Sequence, residues 1–404
     1  MERQDFVELM TPAGQQLLQS VDYQSKTDVV KLVSQLRTQG HSPALVAAVL
    51  TQAKLRHRAQ AKFGEFAERM LFTEAGLEQA SRLVVAALHA GRFRNAGVSS
   101  VADLGCGIGS ESLAFAAADL AVTAFDIDEL TAAVATYNLL PFDNAAVEQA
   151  DVTSLDLGRF EALFFDPARR ELKGAARAKA VRKFDPAEFS PNFNWVVEQC
   201  IDDWRGKPRV AGIKLGPGHP HDGIPEQAEA QWVSVGGDLV ELTLWFGAAA
   251  RPAVKRSALL ISATGRHELN AESAETEHAP VANIGDFIYE PDNAVVRSHL
   301  IGQLAEELGL TAISQGIAYL SGNSQLDSPW LKGYRVLENH AFDRKKLRAR
   351  LREANIGVLE IKKRGADIVP EQLRKELALQ GSESATMIVT RIGDAHRALI
   401  CQPL

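Results

Sequence analysis

One stretch of this chain, from Val101 to Asp128, constrains the fold more than any other. Its sequence, VADLGCGIGSESLAFAAADLAVTAFDID, contains a short apolar run, a glycine-rich turn, a helix-forming segment and a second apolar run that ends in an acid. Glycines in such a turn tolerate positive φ angles and allow backbone N–H groups to approach a ligand closely. An acid after the second strand can accept both hydroxyls of a ribose, as in dinucleotide-binding folds. The stretch therefore predicts a strand, turn, helix and strand that bind a nucleoside-containing cofactor.

The spacing of the glycines discriminates between such cofactors. The dinucleotide fingerprint is G-x-G-x-x-G and places a pyrophosphate on the helix N-terminus. Here Gly105, Gly107 and Gly109 follow the pattern G-x-G-x-G, and Asp103 stands just before them. A carboxylate at that position would repel a pyrophosphate but would accept a hydrogen bond from an ammonium group. The loop resembles motif I of the class I S-adenosylmethionine methyltransferases, which implies that Asp103 and the three glycines hold the amino-acid end of S-adenosylmethionine.

Two more acids occur where the same resemblance expects them. Asp126 closes the second apolar run, and Asp151 follows a third apolar-flanked stretch. In the class I methyltransferases these positions hold the ribose and the adenine amine, so the resemblance implies that both bind the cofactor. The alternative is a turn without a nucleotide in an ordinary parallel sheet. For Asp128 we favour the N-cap of the helix after the second strand.

A candidate substrate-side motif, Asp166-Pro167-Ala168-Arg169, follows the fourth predicted strand, Ala162–Phe165. Methyltransferases that act on exocyclic amines of nucleobases carry Asp or Asn, two prolines and an aromatic residue here. Their acid and a proline carbonyl hold the amine hydrogens, and the aromatic ring stacks on the base. Only the first two positions match, although an arginine can also stack on a base or hold a phosphate. The resemblance implies Asp166, Pro167 and Arg169 as catalytic residues; the alternative is that Asp166 caps the strand end.

Length and composition limit the class of protein. A chain of 404 residues exceeds the usual single core, which predicts two or three domains. The polar start lacks a signal-peptide core, and no apolar run approaches the roughly 20 residues that span a bilayer, so we expect a cytoplasmic protein with no membrane partner. A net charge of −7 argues against non-specific coating of nucleic acid, and we expect no DNA partner. Three scattered cysteines and the pair His219 and His221 do not make a metal site, and we predict none.

The chain divides into three predicted domains. Residues 1–96 form a helical domain with one helix beginning at Ser42-Pro43 and another running from Thr73 to about Ala90, and we expect Phe72–Gln79 to pack over the cofactor pocket. Residues 97–265 alternate strand and helix, which predicts a doubly wound α/β sheet. Its later strands are predicted at Val210–Leu215, Leu239–Phe246 and Ala258–Ser262, for seven in all. The polar stretch 265–280 is predicted to be a linker, and Lys214 a surface lysine or a contact to substrate or cofactor.

Residues 281–404 form a predicted α+β domain. Its elements are a helix within Pro291–Gly309, then the order βαβαββ from Gly333 to Gln402 with a hairpin around Gly393-Asp394. Basic residues gather there, in contrast to the acidic chain as a whole. We predict an RNA-binding ridge made by Arg344, Lys345, Lys362, Lys363 and Arg364; the alternative is a solvated face.

The whole chain resembles a bacterial family of class I methyltransferases that carry a C-terminal THUMP-like domain. The resemblance rests on RMLFTEAGLEQA, on the VADLGCGIGSESLA loop, and on FFDPARR, GIKLGPG and LEIKKRG. The catalytic half is also similar to trimethylguanosine synthase. The family implies a Rossmann-like seven-stranded sheet, S-adenosylmethionine as cofactor, and methylation of a base in structured RNA, either tRNA or rRNA. Two alternatives are a small-molecule methyltransferase with a structural C-terminal domain and a non-catalytic, cofactor-binding RNA-binding protein.

Overall fold

The computed structural model describes residues 1–24, 26–167 and 189–404. The chain divides into two compact units. The first comprises Met1–Leu215, His219–Ala228 and Thr243–Arg251; the second comprises Gly216–Gly218, Glu229–Leu242 and Pro252–Leu404. The predicted catalytic residue Arg169 lies outside the described residues. The three-domain division at 1–96, 97–265 and 281–404 stays a prediction.

The first unit begins with six helices. They are α1 Arg3–Met10, α2 Pro12–Ser20, α3 Val29–Thr38, α4 Pro43–Phe63, α5 Glu74–Gln79 and α6 Leu83–Asn95. Side-chain caps define several starts, because a hydroxyl or carboxylate at the N-cap accepts a free backbone N–H. Ser42 accepts from the N–H of Leu45 at 3.1 Å, as predicted. The prediction of a single helix from Thr73 to Ala90 is wrong, because the chain forms α5 and α6 there. At the end of α5 the Lys62 ammonium donates hydrogen bonds to the carbonyls of Leu77, Glu78 and Ala80.

A parallel sheet follows in the same unit. Its strands are β1 Ser100–Leu104, β2 Ala121–Asp126, β3 Ala145–Gln149, β4 Ala162–Phe165 and, after the short pair β5 Asp203–Trp204 and β6 Lys207–Pro208, β7 Val210–Leu215. The helices that alternate with them are α7 Ser110–Ala117, α8 Glu129–Leu139 and α9 Phe193–Ile201. The spatial order β7-β4-β1-β2-β3 is parallel throughout. All four residues of β4 are buried, as expected of a strand covered on both faces. The predicted doubly wound α/β architecture is confirmed.

Four strands continue the chain from residue 229. They are β8 Glu229–Val235, β9 Asp238–Phe246, β10 Arg256–Ser262 and β11 Gly265–Ala271. Within the second unit, β10 pairs parallel with β8 and antiparallel with β11. Strand β8 was not predicted, and the prediction of a linker over 265–280 is wrong for its first residues. In β11 only Leu269 is buried, so its polar composition suits a strand with one exposed face.

The rest of the second unit is the α+β end of the chain. Its elements are β12 Phe287–Pro291, α10 Asn293–Ser298, α11 Ile301–Leu308, β13 Thr311–Ala312, β14 Leu320–Gly322, β15 Leu331–Ala341, α12 Arg344–Glu353, β16 Ile356–Arg364, α13 Pro370–Leu377, β17 Glu383–Ile392 and β18 Ala395–Pro403. Its seven-stranded sheet has the order β13-β14-β12-β15-β18-β17-β16. The predicted order βαβαββ is found from β15 to β18. The helix predicted within Pro291–Gly309 is two helices, because His299 adopts a φ of 64° between them. Across the described ranges, no helix is long and apolar enough to cross a membrane.

Candidate active site

The glycine loop between β1 and α7 requires its glycines. Gly105, Gly107 and Gly109 have φ angles of 94°, 56° and 86°, which side-chain-bearing residues rarely adopt. A Cβ on Gly105 would also lie 3.0 Å from the backbone oxygen of Asp166. The loop is thus held close to the end of β4, where the predicted substrate-side motif begins.

Asp103 lies beneath this loop and is completely buried. One carboxylate oxygen accepts a hydrogen bond from the Ser112 hydroxyl at 2.5 Å, whereas Oδ1 has no hydrogen-bond partner among the described residues. Burial raises the pKa of Asp103 to about 7, against the opposing effect of the Ser112 hydrogen bond. A buried carboxylate oxygen without a partner fits an incoming ammonium group, because such a group would supply the missing hydrogen bond.

Asp126 ends β2 and braces the same loop. Its carboxylate accepts from the N–H of Gly107 at 3.1 Å and from the N–H of Asp128 at 2.9 Å. Burial raises the pKa of Asp126 to about 6, although both hydrogen bonds oppose the shift. Asp128 caps α8 through the N–H of Thr131 at 2.8 Å, as predicted. Asp126 therefore lies at the loop that the cofactor prediction requires. Its negative charge costs free energy in the folded protein, and a further hydrogen-bond donor from a ligand would reduce that cost.

Asp151 lies one strand further along the same edge. Because β2 and β3 run parallel and pair Asp126 with Gln149, the residues after β3 emerge next to Asp126. Asp151 is exposed, and its Oδ1 accepts from the N–H and the hydroxyl of Thr153 at 2.9 and 2.7 Å. These hydrogen bonds lower the pKa of Asp151. The edge thus brings Asp103, Asp126 and Asp151 into a row, as expected for parallel strands.

Asp166 follows β4 and forms an ion pair that the sequence did not predict. The Lys214 ammonium on the neighbouring strand β7 lies 2.6 Å from Asp166 Oδ2. Lys214 is 8% exposed and donates also to the Ser81 hydroxyl at 3.1 Å. The interpretation of Lys214 as a surface lysine is therefore wrong, because β7 is covered by packing. Pro167, the second residue of the motif, is buried beside Asp166.

A second buried polar pair lies in the same unit. Glu111 on α7 and His89 on α6 are 3% and 2% exposed, and Glu111 Oε2 lies 2.9 Å from His89 Nδ1. Burial raises the pKa of Glu111, but the charge and hydrogen bond of His89 outweigh it, so the net pKa is lowered. Sequence reasoning missed this pair because His89 lies 22 residues before Glu111, and the glycine-loop motif that contains Glu111 does not extend to it.

The segment before α6 packs against the glycine loop. The Asn138 amide accepts from the N–H of Leu71 at 2.8 Å and donates to the carbonyls of Leu71 and Ile108 at 3.0 and 2.9 Å. In α5, Gly76 approaches Ile108 so closely that a Cβ there would overlap the Ile108 Cγ2 atom. The contact between Phe72–Gln79 and the loop is present; its role over a bound cofactor stays a prediction.

The chain is similar to two curated proteins over almost its whole length. Both are described as an uncharacterized S-adenosylmethionine-dependent methyltransferase and come from two strains of Mycobacterium tuberculosis. Each is 31% identical to this chain over 375 residues, covering 90% of this chain and 97% of the relative. This chain belongs to the S-adenosylmethionine-dependent methyltransferase family. The predicted family, enzyme class and cofactor, S-adenosylmethionine, are thereby confirmed.

A solved structure supports the fold of the methyltransferase. The crystal structure of a putative methyltransferase from Porphyromonas gingivalis has a TM-score of 0.70 at 17% identity and covers 94% of this chain and 99% of that one. Two protein-family models match parts of the methyltransferase. Residues 331–403 match "THUMP domain-like", and residues 2–59 match "Domain of unknown function (DUF8688)". The first match lies within the predicted C-terminal domain.

The methyltransferase holds most of the predicted basic ridge in internal contacts. Lys362 and Arg364 on β16 pair with Glu290 at 2.8 and 3.3 Å. Lys363 donates to the carbonyl of Ile368 at 2.6 Å. On α12, Arg344 pairs with Glu376 at 2.9 Å. Four of the five predicted RNA-binding residues therefore bind other parts of the same chain, and their contact with RNA stays a prediction.

The fifth predicted residue, Lys345, and two further basic side chains are exposed on α12. Lys345, Lys346 and Arg348 of α12 make no side-chain hydrogen bond or ion pair within the part of the chain that the structure describes. The opposite side of α12 buries Leu347 and Leu351. We call Lys345, Lys346 and Arg348 the α12 basic face. No group of three or more His, Cys, Asp or Glu side chains in the described ranges is arranged to hold a metal ion.

Proposed function

We propose that this methyltransferase methylates a base in structured RNA, either tRNA or rRNA. The observation that carries the proposal is the THUMP-like match over residues 331–403 in a chain whose other part has the methyltransferase fold. The α12 basic face lies within that match and offers three positive charges to a phosphate backbone. The formal net charge of −7 makes such a local concentration of positive charge more notable.

The cofactor-binding residues of the proposal are Asp103, Gly105, Gly107, Gly109, Asp126 and Asp151. Asp103 would accept from the ammonium group of S-adenosylmethionine through its buried Oδ1. Gly107 has no atom within 4 Å of an added Cβ, so the loop is open at this glycine. Asp126 and Asp151 would offer acceptors to the ribose and the adenine amine. When bound, S-adenosylmethionine supplies an electrophilic methyl group on a sulfonium sulfur.

The acceptor would be held by Asp166 and Pro167, with Arg169 as a further predicted contact. Asp166 is 31% exposed at the carboxyl end of β4 and touches the glycine loop through its backbone, so a base that reaches it is also close to the cofactor loop. Methyl transfer depends mostly on positioning the acceptor and excluding water, which fixed groups at a sheet edge provide.

The test is transfer of a labelled methyl group. Purified protein is incubated with methyl-labelled S-adenosylmethionine and, separately, with bulk tRNA, bulk rRNA and an RNA-free extract of small metabolites. We expect label in one of the RNA fractions, and none with an Asp126→Ala variant as background control. Label found only in the metabolite extract would replace this proposal with the small-molecule alternative.

A further inference from the structure

Arg256 of β10 is a buried guanidinium group in the second unit. Only 7% of the residue is exposed, and its Nε atom has no hydrogen-bond partner among the described residues. Burial lowers the pKa of Arg256, and no carboxylate in the described ranges opposes that shift. Arginine is rarely buried unless it is paired, because taking a charged group out of water is costly. The second unit therefore holds a buried positive charge that the described residues do not compensate.

A second buried arginine shows the usual form of compensation. Arg209 is 4% exposed and donates from Nη1 to two backbone carbonyls, at 3.1 and 3.0 Å. The charge of Asp202 also opposes the lowering of its pKa by burial. Arg256 has neither kind of partner within the described part of the chain. Its guanidinium carbon lies 5.6 Å from the centre of the Trp232 ring, and such a cation–π contact offsets part of the desolvation cost without supplying a hydrogen bond.

Arg256 lies on the face of the sheet that α10 covers. It pairs in register with Ala230 of β8, so its side chain points to the same face as Trp232, two residues further along β8. Helix α10 packs against β8 and β10. Arg297 of this helix and the Trp232 indole both donate to the Pro217 carbonyl, at 3.1 and 3.2 Å. The aromatic ring therefore contacts the Arg256 guanidinium and shares a hydrogen-bond acceptor with Arg297.

Two histidines add to this group of basic side chains. His299 follows α10 and is exposed, as is His278 in the segment after β11. Desolvation lowers the pKa of His299, and the charges of Arg297, Arg256 and His278 lower it further. Like charges this close repel one another, so an anion among them would be stabilised.

The acids on the same elements are engaged elsewhere or do not reach Arg256. Asp292 lies at the other end of α10, where its carboxylate accepts from the Ser234 hydroxyl at 2.9 Å. Glu268 of β11 accepts from the Ser257 hydroxyl at 3.1 Å, and Ser257 points to the opposite face because it follows Arg256 in the strand. The exposed acids after β11 neither pair with Arg256 nor raise its pKa: Glu272, Glu275 and Glu277.

We propose that Arg256 and His299 form a binding site for a phosphate group, with Arg297 and His278 contributing further positive charge. A guanidinium presents several N–H donors in a planar fork and an imidazole presents another, which suits the oxygens of a phosphate. The ligand would supply the opposite charge and the acceptors that Arg256 lacks among the described residues. The proposal does not depend on the proposed function, because a small phosphate compound and an RNA backbone both carry this group.

The first measurement uses inorganic phosphate as the probe. Its affinity is measured by phosphorus NMR at constant ionic strength, set with chloride. We expect Arg256→Met to weaken binding by about tenfold or more, as for loss of charge-assisted hydrogen bonds. His299→Asn should weaken it by a smaller factor; asparagine tolerates the φ of 64° at this position. The matched control, Arg266→Met, removes an exposed arginine from the far end of the β10–β11 hairpin and should change nothing.

The second measurement separates the two sources of phosphate. Its probe is a synthetic RNA hairpin without terminal phosphates, so all its phosphate groups lie in the backbone. If Arg256→Met weakens binding of the hairpin, the site serves an RNA backbone. If it weakens binding of inorganic phosphate alone, the site serves a small phosphate compound. No loss of affinity for either probe, relative to Arg266→Met, would overturn the proposal.

Urea denaturation distinguishes a binding role of Arg256 from a structural one. Since an uncompensated buried charge is unfavourable, Arg256→Met should unfold at the same or a higher urea concentration than the wild type in phosphate-free buffer. Added phosphate should then stabilise the wild type more than the variant. A variant that is less stable without phosphate, and equally stabilised by it, would contradict the proposal.

Two further controls keep the test decisive. If Arg256→Met does not fold, Arg256→Lys replaces it. This variant keeps the charge but loses the planar fork of donors, so phosphate affinity should still fall several-fold, and an unchanged affinity would overturn the proposal. If no RNA accepts a methyl group, the proposed function fails, whereas the inorganic phosphate measurement still decides whether Arg256 binds this ligand.

Discussion

At the scale of single residues, Asp103 shows how burial turns a motif position into a titrating group. The sequence places Asp103 just before the glycine loop. In the structure, burial raises the pKa of this carboxyl to about 7. Because an unfolded aspartate titrates near 3.9, the folded protein without a ligand binds more protons than the unfolded chain between about pH 4 and pH 7. Ionisation of Asp103 therefore costs stability as the pH rises through this window, until a cation binds.

This charge state predicts a pH dependence of ligand binding. We expect the affinity for S-adenosylhomocysteine, measured by calorimetry, to rise several-fold between about pH 5.5 and about pH 7.5, because the ammonium of the ligand pairs with ionised Asp103. Asp103→Asn should weaken binding and flatten this rise. Asp126 has a raised pKa of about 6, so Asp126→Asn is the matched control and should remove only the more acidic part of the rise. An undiminished rise in Asp103→Asn would remove Asp103 from the ammonium site.

At the scale of elements, the short helix α5 contacts the glycine loop through close van der Waals packing rather than through an ion pair. Gly76 faces Ile108, which is 1% exposed, and Thr73, whose hydroxyl caps the helix at the N–H of Gly76. A methyl group at Gly76 has no room, whereas Gly91 in α6 has no atom within 4 Å of an added Cβ. Both glycines lie within α-helices, so they differ in the packing around them and not in backbone conformation.

This difference predicts opposite effects of the same substitution. Gly76→Ala should lower the free energy of unfolding by about 1–3 kcal/mol, because Ile108 must move in a close-packed site. It should also weaken S-adenosylhomocysteine binding, since Ile108 belongs to the loop. Gly91→Ala should raise stability by about 0.5–1 kcal/mol, as expected for alanine in place of glycine within a helix. Urea denaturation and calorimetry measure both effects; equal behaviour of the two variants would show that the contact with Ile108 is unimportant.

At the scale of the whole molecule, a chain with a net charge of −7 needs a local basic surface to bind RNA. The predicted ridge on β16 is engaged with Glu290 and with the Ile368 carbonyl, so replacing its lysines would perturb the second unit as well as any RNA contact. The α12 basic face has no such internal role within the described residues and is the cleaner place to look for phosphate contacts.

We expect the triple variant Lys345→Ala, Lys346→Ala and Arg348→Ala to weaken binding of the labelled RNA fraction. The slope of log affinity against log salt should fall by up to roughly one for each phosphate that the variant no longer neutralises. S-adenosylhomocysteine binding should not change. The control replaces Lys31, Lys54 and Lys207 by alanine, which removes the same number of exposed positive charges from the first unit. An equal weakening in both triple variants would indicate a non-specific effect of net charge.

Local sequence determined much of this protein. Several features depend only on neighbours a few residues away, so a short stretch of sequence determines their geometry. They are the spacing of the loop glycines, Asp103 before them, Asp126 at the end of β2 and the N-caps Ser42 and Asp128. The alternation of apolar and helix-forming segments determined the α/β class for the same reason. The strand β8 and the partly polar β11 were missed because a strand is stabilised by partners that local periodicity does not contain.

Tertiary structure alone decided the chemistry of the charged side chains. Lys214 and Asp166 are distant in the chain, and only the pairing of β4 with β7 brings them within 2.6 Å and converts an apparent surface lysine into a buried partner. The same holds for Lys362 and Arg364, which Glu290 of another strand neutralises. A charge is free or engaged according to what lies within a few ångströms of it, and that neighbourhood is set by the packing of elements rather than by the order of residues.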